Sequence, residues 1–303
     1  MDMRSLVSLA ESLKGANLRG YKQSDLEGKL LTLLRSYKPL AIGRSHHQLW
    51  YRGRPCPSAE GYSHLTDCIY PTAEKANDFG RANYPKEPAF YAAWNETTVL
   101  GELRAEPGQF IQVIVARPKK GVDLPCHIVG EIEHVLQSGM SLVNATKLID
   151  AVAAMVQGLS EEEANKLVYL DAFLAEEFSR RAARPYEYKL TAAYAKILSR
   201  GNGGLMYPSV EIRGGINLAV TARVFDDNFE VLATDVHEVG AYYGYGVYDL
   251  ILRRSSCEFE KDGRIIWDSK KSLSFTHSLQ GGKQLLHDVE GWRVPKQQGA
   301  GIL

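Results

Sequence analysis

The sequence predicts an α+β fold, and three observations carry that prediction. Apolar residues recur at helical spacing in residues 1–45 and again across about 140–200. From residue 205 onward the chain is instead a series of short alternating or apolar runs separated by turn residues, the pattern of β-strands. Apolar residues make up 45% and charged residues 24% of the 303 positions, the usage of an ordinary globular chain rather than of a disordered, collagen-like or coiled-coil one.

The elements follow in chain order. Ser24 and Glu27 have capping-box spacing. Behind them Leu26, Leu30, Leu33 and Leu34 recur at helical spacing, with Leu31 beside them. Residues 1–45 therefore read as a two-helix segment or docking arm, its leucine face expected to be buried. Residues 46–90 are dense in Gly, Pro, Asn, Asp and Ser and read as loops with short strands. Their aromatics, among them Trp50, Tyr51, Tyr62, Tyr70, Phe79 and Tyr84, argue against disorder. Residues 89–94 read as a buried strand, 96–104 as a short helix and 109–117 as a strand. In the helical block of about 140–200, Ser160 and Glu163 make a second capping box. Leu170, Phe173, Leu174 and Phe178 form an apolar face there, and Gly201 closes the block as a helix C-terminal glycine. Strands are expected at 205–211, 216–223, 229–236, 240–252 and 258–267, with a twisted or bulged hairpin where Gly and Tyr alternate at 240–247. The tail after 290 is expected to fray. At about 150 residues per domain the length allows about two domains. The division expected is a helical segment at 1–45, a main domain at 46–235 and a β-rich extension at 236–303 packed on it.

Lys plus Arg and Asp plus Glu both number 36, so no nucleic-acid-binding surface covering the whole protein is expected. The four cysteines, Cys56, Cys68, Cys126 and Cys257, show no CxxC spacing and make no disulfide scaffold. The start of the chain lacks a signal-peptide core, and no apolar run approaches about 18 residues. A cytoplasmic protein without membrane contact is the expectation. No P-loop, no GxGxxG fingerprint, no HExxH and no GxSxG elbow is present. Cys56, His64, Cys68, Cys126 and His127 match no zinc-module spacing, so no metal is expected.

Four short pieces stand out. In Leu49-Trp50-Tyr51-Arg52-Gly53-Arg54, an Arg inside an apolar strand is costly unless it meets an anion, and Gly53 allows a ligand to approach the backbone. Gly80-Arg81-Ala82-Asn83 again presents an Arg from a glycine turn. Tyr91 is followed 11 residues later by Glu102, in an apolar helix. Tyr207-Pro208-Ser209 leads through a glycine turn to Gly215-Ile216-Asn217. Taken singly, each has a structural alternative. Arg52 and Arg81 can be ion-pair partners, Tyr91 core, Glu102 a solvated helix position and Ser209 a turn cap.

In this order the four pieces resemble the RES domain family, named for an Arg, a Glu and a Ser. The pattern is a Tyr-Arg-x-Arg strand, a Gly-Arg-aromatic-or-small-Asn turn, a Tyr followed by a Glu, an aromatic-Pro-Ser and a Gly-x-Asn strand. Tyr188-Lys189-Leu190-Thr191 between two helices fits the linking region. The resemblance covers about 46–235. Ala82 stands where the family usually has an aromatic residue, and the chain extends beyond the minimal members at both ends.

The resemblance implies an ADP-ribosyltransferase-like core of two packed, mainly antiparallel sheets with the helical block inserted and the N-terminal helices added. It implies an enzyme that consumes NAD by cleaving the nicotinamide–ribose bond, by hydrolysis or phosphorolysis, as the toxin of a toxin–antitoxin pair. NAD is then the substrate, with inorganic phosphate as an optional co-substrate. The catalytic residues implied are Glu102, Arg52 and Ser209, and the NAD-binding residues Tyr51, Arg52, Arg81, Tyr91, Glu102, Ser209 and Asn217. The chemistry is compatible. Nicotinamide is already cationic and leaves as a neutral base, so one carboxylate suffices where an ordinary glycoside needs two. Glu102 would stabilise the ribosyl cation and Tyr91 would pack on the nicotinamide. Arg52 and Arg81 would hold pyrophosphate or phosphate. Ser209 would bond the ribose or orient Glu102, and Asn217 would support it. Two other readings use the same site: a protein ADP-ribosyltransferase, and a non-catalytic NAD-binding module. The partners implied are NAD and an antitoxin protein that occludes the cleft, with a homo-oligomer also compatible and no direct nucleic-acid binding.

Overall fold

The computed structural model describes residues 1–14, 18–199 and 202–267, and beyond them the backbone of the strands Leu273–Gln280, Lys283–Asp288 and Gly291–Arg293. Helix α1 (Met3–Leu13) is capped by Asp2, whose side chain accepts from the Ser5 N–H at 2.8 Å. Helix α2 (Gln23–Leu34) starts earlier than the capping-box pattern places it. Its N-cap is Lys22, with no side-chain cap, and Glu27 turns away to accept from the Tyr84 hydroxyl at 2.5 Å. The leucine face is buried as expected: Leu26, Leu30 and Leu33 are fully enclosed with Leu6, Phe173, Leu174, Phe178 and Tyr194. Each such leucine contributes about 1.5–3 kcal/mol relative to an exposed one. Residues 1–45 are not all helical. Strand β1 (Ala41–Arg44) closes the segment, too short to show alternation in the sequence.

The core elements follow: β2 (Trp50–Cys56), β3 (Ala89–Ala93), α3 (Glu96–Leu103), β4 (Phe110–Pro118) and β5 (Leu124–Ile128). Next come helices α4 (Glu131–Ser138), α5 (Thr146–Gln157), α6 (Glu161–Ser179) and α7 (Lys189–Ser199). The capping box at the start of α6 forms in both directions between Ser160 and Glu163. After β6 (Gly204–Pro208) and β7 (Ile216–Thr221), residues expected to extend the strand form helix α8 (Ala222–Asn228). Thr221 caps it, accepting from the Val224 N–H at 3.3 Å. The hairpin of β8 (Phe229–Gly244) and β9 (Val247–Ser256) carries register shifts at Val239/Ala241 and Tyr242/Gly244, the bulged form the Gly-Tyr alternation predicts. Short strands β10 (Glu258–Phe259) and β11 (Ile265–Ile266) pair with each other. The three C-terminal strands named above are β12, β13 and β14. Gly201 and the tail from 294 lie outside the described residues.

The large sheet runs β1-β5-β6-β7-β3-β2-β4-β8-β9-β12-β13-β14, antiparallel except for β5 with β6. The fold is α+β, as the sequence predicts. Two halves are discernible within that one order. They meet at β2 and β3 through a single residue pair, Tyr51 with Ala93. Trp50 and Ile114 from one half share a core with Phe90, Met206 and Leu218 from the other. Strand β8 runs through residue 235, so the C-terminal segment continues the same sheet. No described helix is long and apolar enough to cross a membrane. None of the four cysteines is in a disulfide.

Candidate active site

With only one residue pair joining them, β2 and β3 diverge, and a cavity of about 240 Å³ opens between the two halves. Tyr51, Arg52 and Gly53 of β2 line it, with Tyr91, Ala92 and Ala93 of β3. Helix α3 supplies Val99, Glu102 and Leu103; Arg81, Tyr188, Tyr207 and Asn217 complete the wall.

Helix α3 is aimed by Asn95, whose side chain caps it through the Thr98 N–H at 2.8 Å. Glu102 near its end projects at an exposed position. Glu102 Oε1 accepts from Ser209 Oγ at 2.6 Å and from Asn217 Nδ2 at 2.8 Å. Ser209 Oγ in turn accepts the N–H groups of Glu211 and Ile212 at 3.2 and 3.1 Å, which directs its own proton at the carboxylate. The turn after Ser209 lies close on α3, since a Cβ at Gly215 would stand 2.7 Å from Thr98 Oγ1. Asn217 is buried on β7, opposite Ala93 and Tyr207. Both donors fall on Oε1, so Oε2 has no hydrogen-bond donor among the described residues and is available to a ligand.

The cations are held differently. Arg52 donates from Nε to the Cys68 carbonyl and from Nη1 to the Tyr91 carbonyl, both at 2.9 Å. Burial, then the neighbouring Arg54 charge, pushes its pKa down to about 10, which still leaves it charged at neutral pH. Arg81 donates from Nη1 to the carbonyls of Phe178 and, at 3.2 Å, Arg180. Its guanidinium stands 5.0 Å from the ring centre of Tyr188 and 5.8 Å from that of Tyr207. Among the described residues neither Arg has a carboxylate within ion-pair distance. Carbonyls satisfy N–H groups without cancelling charge, so two positive charges face the cavity for an anion.

Tyr91 fixes the turn that presents Arg81. Its hydroxyl donates to Asn83 Oδ1 at 2.7 Å and accepts the Ala82 N–H at 2.9 Å, and burial raises its pKa. Tyr51 sits at the joint between the half-sheets, its hydroxyl pushed up to about 12 by burial and by the charges of Glu96 and Asp235.

The structure thus brings Tyr51, Arg52, Arg81, Tyr91, Glu102 and Asn217 to one cavity, and Ser209 joins them through Glu102. Gly53 lines the cavity and has a packing role besides. A Cβ there would lie 2.4 Å from Val99 and 2.9 Å from Leu103, so the missing side chain lets α3 lie against β2. Tyr188 and Tyr207 are site residues that sequence reasoning did not nominate, although both lie in quoted stretches; an aromatic beside an Arg-bearing pocket was the available signal. Glu96, Asp235 and His237 place ligand atoms within 4.8 Å of one another, outside the cavity lining. His237 Nε2 stands 3.9 Å from Glu96 Oε1.

The RES domain model matches residues 54–238. The chain belongs to the RES domain family. Comparison with curated proteins and with solved structures finds no match. The RES match takes in Arg81, Tyr91, Glu102, Ser209 and Asn217, and it ends inside β8. Tyr51 and Arg52 lie just ahead of it on β2, while α1, α2 and β1 lie wholly outside.

Proposed function

We propose that this RES protein consumes NAD, breaking its nicotinamide–ribose N-glycosidic bond with water or inorganic phosphate as acceptor. One observation carries the reading: a single carboxylate, anchored through one oxygen, faces a cavity that also receives two guanidinium charges without carboxylate partners among the described residues. Membership of the RES family supports an NAD-related role at a general level.

In the proposed reaction the C1′–N bond breaks and its electron pair stays with the ring nitrogen, cancelling the pyridinium charge. The ribosyl fragment becomes an oxocarbenium ion. Glu102, through Oε2, stabilises it by charge and by accepting a hydrogen bond from a ribose hydroxyl. Ser209 and Asn217 keep the carboxylate in place, so no reorganisation is needed as positive charge develops. Tyr91 offers a flat face to the nicotinamide, and Arg52 and Arg81 bind the pyrophosphate or the attacking phosphate. A water or phosphate oxygen then bonds to C1′, water releasing a proton to solvent. Ligand pockets generally span about 300–1,000 Å³. At about 240 Å³ the cavity is smaller than that, so it takes the nicotinamide, its ribose and the pyrophosphate, with the adenosine outside its mouth. A role as the toxin of a toxin–antitoxin pair, with an antitoxin covering that mouth, belongs to the same proposal.

The test is NAD loss by the purified chain, with and without inorganic phosphate, beside Glu102→Ala. Loss that vanishes in the variant supports the reading, and ADP-ribose 1″-phosphate against ADP-ribose as product separates phosphorolysis from hydrolysis. Persistence of NAD under every condition overturns it, and labelled ADP-ribose on protein would point to a transferase.

A further inference from the structure

Glu27, which its spacing assigns to a helix cap, is instead bonded to the loop that carries Arg81. That loop is held on both sides of Arg81 by groups tied to the N-terminal helices. On one side Tyr84, 8% exposed, donates its hydroxyl to Glu27 of α2 at 2.5 Å. On the other side Phe79 packs edge-on against Tyr84 at 5.7 Å and lies under the Lys189 ammonium at 5.8 Å. Lys189 Nζ donates to the carbonyls of Leu18, Arg19 and Tyr21, in the connection between α1 and α2, at 2.9, 3.2 and 3.1 Å. An ammonium has three N–H donors, so this arrangement uses all of them. Lys189 also follows Tyr188, the aromatic that stacks against Arg81.

The same helices brace the acceptors of Arg81. Its carbonyl partners, Phe178 and Arg180, belong to the end of α6 and the residue that caps it. Helix α6 is tied to the N-terminal segment by Lys14 with Glu176 at 2.6 Å and by Tyr37 with Asp171 at 2.6 Å. Loop, acceptors and stacking ring thus all lean on one helix pair, and that pair lies outside the RES match.

We propose that the N-terminal helix pair sets the position of Arg81, with Glu27 and Lys189 as positioning residues for the anionic part of the substrate. The proposal rests on the NAD reading for the identity of that substrate, though not for the presence of an anion. Neither residue lines the cavity, so both act through Arg81 and Tyr188. A small displacement of a binding group is felt as lost affinity long before the fold is lost.

The experiment compares Lys189→Met, Lys189→Arg, Glu27→Leu and Glu27→Gln in the full chain. It reads NAD KM and kcat, binding of NAD by calorimetry in a Glu102→Gln background, binding of inorganic pyrophosphate, and melting by circular dichroism. Lys189→Met and Glu27→Leu are expected to raise KM and both dissociation constants about tenfold with kcat within about twofold. Lys189→Arg restores a donor and Glu27→Gln an acceptor, so both are expected near the wild-type affinity. A general loss of structure would lower kcat and melting together and would not be rescued by the conservative variants. If Lys189→Met fails to fold, Glu27→Leu and Tyr84→Phe decide the same point. Wild-type binding of NAD that is unchanged in the folded variants overturns the positioning role and leaves the NAD reading standing. Binding of pyrophosphate but not NAD overturns the NAD reading, and the same variants then decide positioning on pyrophosphate. Binding of neither overturns both.

Discussion

Glu102 and Arg81 border the same cavity and are held there by opposite kinds of partner. Glu102 accepts from two side chains, Ser209 and Asn217, on neighbouring parts of the first half-sheet. Arg81 donates chiefly to main-chain carbonyls at the end of a long helix, with a longer contact of 3.5 Å to the Tyr188 hydroxyl. A carboxylate held by side chains changes its setting when one residue is replaced. A guanidinium held by main-chain oxygens does not, because the carbonyl remains whatever side chain stands at 178 or 180. The reacting end of the site is therefore tuned locally. The anion-binding end inherits its geometry from how the helical block and the N-terminal helices are docked.

The largest expected effect tests the first half of that contrast. Glu102→Gln keeps an acceptor for Ser209 and removes the charge, and is expected to lower kcat for NAD loss about 10³-fold with little change in KM. Steady-state kinetics check it; a loss confined to KM would make Glu102 a binding group. Arg81→Gln comes next and is expected to fall mainly on KM, about 10- to 100-fold. An equal fall in kcat would show that the two ends are not separable. Ser209→Ala removes one of the two donors to Oε1 and is expected to cost about tenfold in kcat, with Asn217 still in place. If Ser209→Ala matches Glu102→Gln, the serine is itself part of the chemistry rather than a support.

The smallest effect concerns the other end of α3. His237 is buried beside Glu96 and Asp235, near Tyr51, and burial lowers its pKa below the usual 6.5 while Asp235 partly opposes the shift. The unfolded chain then binds the proton first as pH falls, so stability from the neutral imidazole is full above about pH 6.5 and declines below it. Melting temperature is expected to drop more steeply between pH 7.5 and 5.5 for the wild type than for His237→Gln. Parallel curves would show that the histidine does not contribute to acid sensitivity.

Two identical local signals show where sequence reading works and where it stops. Ser160 with Glu163 and Ser24 with Glu27 have the same spacing, yet only the first forms a capping box. The Ser160 box is exposed and meets no competitor, whereas Glu27 faces a buried tyrosine hydroxyl that needs an acceptor. Strand β1 lies in a segment whose pattern reads as helical, β5 in one with no assigned pattern, and α8 begins in one that reads as strand, all for a related reason. They are short, and their pairing or capping, not their periodicity, makes them regular.

The sequence by itself determined which residues are chemically out of place. An Arg in an apolar strand, an Arg on a glycine turn, a Glu in an apolar helix and a Ser at a strand end were visible one at a time, and their order pointed to the RES family. Only the tertiary structure decided what those residues do to one another. The single Tyr51–Ala93 pair lets two half-sheets part into a cavity. The structure also gives Arg52 and Arg81 carbonyls as partners and brings Ser209 and Asn217 onto one oxygen of Glu102. The reason is physical. A residue's type sets what it can donate, accept or bury, but whether its charge is cancelled or left for a ligand depends on groups far away in the chain that only packing brings near.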